Sequence, residues 1–108
     1  MANSFLLTYS VIAKYGAPTD GDKADKVRHD IAKVRGWIKS HINETTFTGV
    51  MSIKGKNNEE RQKSAINNIK NEFKPILKKH EASKSSVIIY CTLMVSCVDK
   101  PFQFEVYY

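Results

Sequence analysis

The apolar positions along the chain change their period several times, and each change marks an element. Residues 4–12 are almost continuously apolar and rich in β formers (Phe5, Leu6, Leu7, Tyr9, Val11, Ile12), which predicts a strand inside a sheet. Gly16, Pro18 and Gly21 break the pattern, so 13–21 reads as a loop. A helix is expected from about Asp22, with Asp20, Asp22 and Asp25 at the positive end of its dipole and Ala24, Val27, Ile31 and Val34 as its apolar stripe. Gly36 stops it. Trp37 and Ile38 suggest a short strand. The alternation of Thr45, Phe47, Gly49, Met51 and Ile53 with Thr46, Thr48, Val50 and Ser52 suggests a longer one, the two joined by His41-Ile42-Asn43-Glu44.

Residues 55–86 contain a second helix, capped by Asn57 or Asn58, with Ile66, Ile69, Phe73, Ile76 and Leu77 facing inward. Pro75 removes a backbone donor and crowds residue 71, so a kink is expected there. Residues 83–86 are loop, 87–98 form the most apolar strand, and Asp99-Lys100-Pro101 turns into a last strand, "FQFEVYY". The order strand–helix–strand–strand–helix–strand, plus that terminal strand, predicts an α+β fold. One sheet carrying both helices on one face satisfies the stripes, in a ferredoxin-like βαββαβ arrangement with an extra C-terminal strand. Leu6, Val27, Ile31, Phe73 and Ile89 are expected in its core.

With 108 residues there is material for one domain, residues 1–108. No apolar run reaches the ~20 residues that span a bilayer, and Met1-Ala2-Asn3-Ser4 leads straight into a strand, so the expectation is a cytoplasmic protein with no membrane partner. Cys91 and Cys97 would lie on one face of a strand, ~20 Å apart, as buried free thiols. Seventeen Lys and Arg against eleven Asp and Glu give +6, which favours a polyanionic partner, RNA or DNA, or else only keeps a small domain soluble. The candidate nucleic-acid contacts are Arg28 and Arg35 on the first helix and Lys70, Lys74, Lys78 and Lys79 on the second. Lys70, Lys74 and Lys78 fall on one face.

Catalytic candidates are few: Ser10 at the end of the first strand, and His41, whose neighbours Ser40 and Glu44 could complete an acid–base pair. His29 and His80 look like solvated surface. No histidine, cysteine or acidic pattern has metal-ligand spacing, no phosphate-cradling glycine loop is present, and no cofactor is expected.

Tyr9-Ser10, the Gly16 to Pro18 loop, Arg35-Gly36-Trp37, "ETTFTG" at 44–49 and "SSVIIY" at 85–90 together resemble a superfamily of small proteins. It includes the CRISPR-associated Cas-two subunit, the VapD toxins and SinR-like relatives. The resemblance implies a homodimer associated with nucleic acid, and a strand-end aspartate that helps hold a hard divalent cation. Ser10 stands at that position here, and a neutral hydroxyl is a poor Mg²⁺ ligand, so a metal-dependent nuclease is not expected. Asp20 and Asp22 are the only nearby carboxylates that could reach back.

In that family the terminal strand crosses to the partner, which would put Phe102, Phe104, Val106 and Tyr108 in the dimer interface. The competing arrangement folds this strand back on 87–97 of its own chain. A second functional reading is a protein-interaction module (an antitoxin, an inhibitor or a mobile-element regulator) that works through its sheet edge.

Overall fold

A computed structural model describes residues 2–34, 36–39 and 45–108. The chain runs β1 (Ala2–Ala13), α1 (Asp20–Ile31), β2 (Ile38–Lys39), β3 (Thr46–Ser52), α2 (Asn58–Lys79), β4 (Val87–Val95) and β5 (Phe102–Val106). The strands form one five-stranded sheet in the order β2-β3-β1-β4-β5, antiparallel at every junction. The fold is therefore α+β.

The register sorts side chains to two faces with period two. Phe5, Leu7, Tyr9 and Val11 of β1 point the same way as Phe47 and Met51 of β3 and Ile89, Cys91, Leu93 and Val95 of β4, and all are buried. Both helices cover this face. Ala24, Val27 and Ile31 of α1 and Ala65, Ile69, Phe73 and Leu77 of α2 close the core, each completely buried. Four of the five expected core residues are in place. Leu6 is the exception, because it is the even-numbered neighbour of the buried set and lies 38% exposed on the other face.

α2 starts with the side chain of Asn57 accepting a hydrogen bond from the Glu60 amide (2.9 Å). Just before it, Gly55 has φ +142°, and a Cβ there would stand 2.8 Å from the Arg61 nitrogen, so only glycine makes this turn. The helix then continues through Pro75 to Lys79. Pro75 is on the exposed side, where water can serve the carbonyl of Asn71 that lost its partner.

β4 ends at Val95, earlier than the apolar run in the sequence, so Cys97 sits in the following turn and does not share a strand face with Cys91. β5 folds back on β4 of the same chain, with Phe102, Phe104 and Val106 opposite Leu93, Cys91 and Ile89. Val106 is completely buried, Phe102 and Phe104 pack on the core's edge, and Tyr108 lies beyond the strand, 43% exposed. The apolar face of "FQFEVYY" is thus spent inside its own chain.

No helix among the described residues is long and apolar enough to cross a membrane.

Candidate nucleic-acid and docking surfaces

The sheet face turned away from the helices is open. Its strand positions are Ile38, Thr48, Leu6 and Met94 in one row, Thr46, Thr8, Thr92 and Gln103 in the next, then Ser10, Tyr90 and Glu105. Ile38, Val50, Met94, Ile12, Tyr90 and Leu6 are all exposed there. No lysine or arginine occupies any of these positions, in a chain that carries seventeen. Glu105 is the face's one charged strand residue among those described.

Across the middle runs a trough of about 690 Å³, lined with the hydroxyls of Thr8, Ser10, Thr92 and Tyr90 and with Gln103 and Glu105. Ser10 lies in this trough opposite Tyr90. Its hydroxyl makes no hydrogen bond among the described residues. His41 and Arg35 lie outside the described residues, as do Ser40 and Glu44.

Ser10 brings no charge, and Asp20 is turned inward, where Oδ2 accepts from the Gly16 amide (2.8 Å) and the Ala17 amide (3.1 Å). Burial pushes the Asp20 carboxyl up, but the Ser86 hydroxyl, the Ala17 and Gly16 amides and the Lys23 ammonium outweigh it. The result is a pKa below the ordinary carboxylate value. Its carboxylate therefore staples the β1–α1 loop. Among the described residues no three His, Cys, Asp or Glu side chains cluster as metal ligands.

The basic residues divide between those bonded within the fold and those without an ion pair among the described residues. Arg28 is bonded into it: Nη2 donates to the Val11 carbonyl (2.6 Å) and Nη1 pairs with Asp25. Lys79 is bonded too, its Nζ 3.0 Å from Asp30 Oδ2. Both nevertheless stay exposed at the surface, the Arg28 side chain 46% and the Lys79 side chain 66%. Lys70, Lys74 and Lys78 carry no ion pair among the described residues, and Lys78 lies 5.9 Å from the Tyr108 ring centroid.

One cluster has no counterpart in the sequence reading. His80 Nε2 lies 2.7 Å from the same Asp30 oxygen that Lys79 holds, and both side chains are more than four-fifths buried. Hydrogen bonds from Lys79 and His80 draw the Asp30 carboxyl down to about 2, against a smaller opposing effect of burial. His80 is therefore a clasp between the ends of α1 and α2. No local signal could reveal it, since its partner lies fifty residues away.

No family model, curated protein or solved structure matches the chain. The reading below rests on geometry and on residue pattern.

Cys91 and Tyr9 complete the inventory of titratable groups under the trough. Both face the core. Burial raises the Cys91 thiol to about 12. Burial, and then the nearby Cys91, raise the Tyr9 phenol. Burial thus favours the protonated form of both groups.

Proposed function

We propose that this chain is a small ferredoxin-like protein that acts as a homodimer and associates with nucleic acid through its helical side, without a metal-nuclease centre. The observation that carries this is the segregation of charge. The strand positions of the open sheet face hold no cation; the lysines without an ion pair among the described residues lie on α1, α2, the loops and, as Lys39 of β2, on the helix-covered side of the sheet.

Two copies at +6 repel each other unless their charges face apart. Joining the open faces does that, and it covers Leu6, Val50, Met94 and Tyr90 from both chains. With strands ~4.8 Å apart and central strands ~30 Å long, each face offers on the order of 600 Å², near the ~800 Å² per partner of a standard interface. The interface thus moves from the terminal strand, whose apolar side is internal, to the open face.

The ferredoxin-like reading is supported by the strand order: β3 lies between β1 and β2, and β1 lies between β3 and β4, so each helical crossover skips one strand. β5 is then the added edge strand. On this reading the chain is a divergent relative of the Cas-two, VapD and SinR-like group, with Ser10 in place of the strand-end carboxylate. Antiviral defence and toxin–antitoxin systems are the settings that this kinship suggests.

Fluorescence anisotropy with short duplex DNA and RNA provides the test. Binding should weaken by at least about tenfold between ~50 and ~200 mM salt if several phosphates are neutralised. K70E/K74E should weaken it by a similar factor. Absence of binding at low salt, or unchanged binding by the double variant, overturns the reading.

A second reading is favoured by the outer edge of β5. Residues Phe102–Val106 present unpaired backbone groups and contain neither lysine nor proline, the usual guards of an edge. A protein partner could add a strand there. Failure of every nucleic-acid probe, with capture of a host protein lost on Gln103→Pro, would favour this reading.

A further inference from the structure

Where β1 ends and β4 begins, Lys14, Ser83, Lys84, Ser85, Ile88 and Tyr108 line a shallow, open concavity of about 560 Å³. Its frame is fixed by backbone hydrogen bonds. The Lys14 amide donates to the Ser86 carbonyl (2.8 Å), the Ser86 and Val87 amides both return to the Ser83 carbonyl (2.8 and 2.9 Å), and the Lys84 amide donates to the Tyr108 carbonyl (2.8 Å). Three segments distant in sequence are thereby stitched into one wall.

The floor is apolar and the rim is polar. Ile88 is 5% exposed, and the Tyr108 side chain stands beside it, 43% exposed. The Ser83 and Ser85 hydroxyls lie 3.0 Å apart. Lys84 Nζ sits 4.5 Å from the Tyr107 ring centroid, and neither it nor Lys14 forms an ion pair among the described residues. Of the neighbouring acids, Asp20 is buried and bonded to its own loop, and the Glu81 backbone carbonyl accepts from Lys23 Nζ (3.1 Å).

A floor of this kind under two cations and two hydroxyls fits a ligand that has a flat, weakly polar body and an anionic group. We propose that this concavity binds a nucleotide, its base against Tyr108 and Ile88 and its phosphate between Lys14, Lys84 and the two serine hydroxyls. The proposal rests on the nucleic-acid reading above and deepens it. Lys70 and Lys74 of α2 would meet the backbone of any nucleic acid, whereas this concavity, whose Tyr108 ring Lys78 of α2 also approaches (5.9 Å to the centroid), would hold one unpaired nucleotide, free or at the end of a strand.

The test is a ¹⁵N–¹H NMR titration of the full chain with three probes: adenosine 5′-monophosphate, inorganic phosphate, and a 5′-phosphorylated single-stranded oligonucleotide. Adenosine monophosphate should shift the amides of Lys14, Gly16, Lys84, Ser85 and Ser86, and the oligonucleotide should shift the same set at lower concentration. K14A/K84A, with its fold checked by circular dichroism, should bind both probes about tenfold more weakly. K70E/K74E should bind the mononucleotide as the wild type does. If duplex binding fails while the mononucleotide shifts stand, only the earlier reading falls. If the mononucleotide leaves these amides unmoved, or K14A/K84A binds it unchanged, this site is refuted. If phosphate alone reproduces the shifts at equal affinity, the base seat is refuted.

Discussion

At the scale of single residues, the carboxylates Asp20 and Asp30 do structural work that their positions in the sequence conceal. Removing Asp20 leaves the Gly16 and Ala17 amides without their acceptor, so Asp20→Ala should cost about 2–3 kcal/mol, read from urea midpoints near neutral pH. Asp30 offers a sharper test because its pKa is drawn down to about 2. A folded-state pKa below the unfolded one means that the stabilisation is complete above the ordinary carboxylate value and disappears as pH falls through about 2. Lys79 is two-thirds exposed, which screens its share, so Asp30→Ala should lose roughly 1–2 kcal/mol at pH 7. The difference from wild type should vanish by the acid end of the titration; a constant difference across pH would mean that charge is not its origin. Tyr15 points the other way. Its φ of +57° strains a residue that has a β-carbon and whose side chain is 77% exposed, so Tyr15→Gly should cost little and can stabilise by up to about 1 kcal/mol in the same melts.

At the scale of elements, the helix stripes and the strand alternations were readable because each is a local periodicity. α2 is capped by Asn57, one of the two expected residues, and the stripe residues Ile69, Phe73 and Leu77 are buried. β1 was harder. Its run is apolar on both faces, so periodicity does not say whether odd or even positions face the helices: the sequence predicts Leu6 inside, and Leu7 is the buried one. The terminal strand shows the same limit. Its alternation identifies the apolar face, but a buried hairpin and an intermolecular strand share one pattern. The candidate site was legible only as charge. The Asp30–His80 clasp, the commitment of Arg28 to Val11 and the assembly of Lys14 with Ser83–Ser85 all depend on contacts between segments far apart in the chain. Pro75 supplies an element-level prediction. The helix passes through it without interruption, so Pro75→Ala should restore a hydrogen bond and raise stability by roughly 1–3 kcal/mol in denaturant melts.

At the scale of the whole molecule, the extents of 44 × 28 × 20 Å describe a slab one sheet and one helical layer thick. One large face of the slab is therefore bare. Leu6→Lys with Met94→Lys places two cations in the row that also holds Ile38 and Thr48, so each dimer would bring four like charges together. Sedimentation equilibrium should show the wild type as a dimer and this variant as a monomer with an unchanged circular dichroism spectrum; a monomeric wild type removes the face-to-face assembly. The slab's interior has a further consequence, for what an observer can see. Trp37, the chain's one tryptophan, packs edge-on against Phe5 and Phe47 at 5.4 Å and against Phe73 at 5.8 Å, which come from β1, β3 and α2. Gly49 keeps that space open, since a Cβ there would press on the Phe5 ring at 3.0 Å. A single indole thus touches three elements at once. Its emission should shift to the red in one step as the layers part, which makes the native protein its own optical gauge of unfolding without any added label.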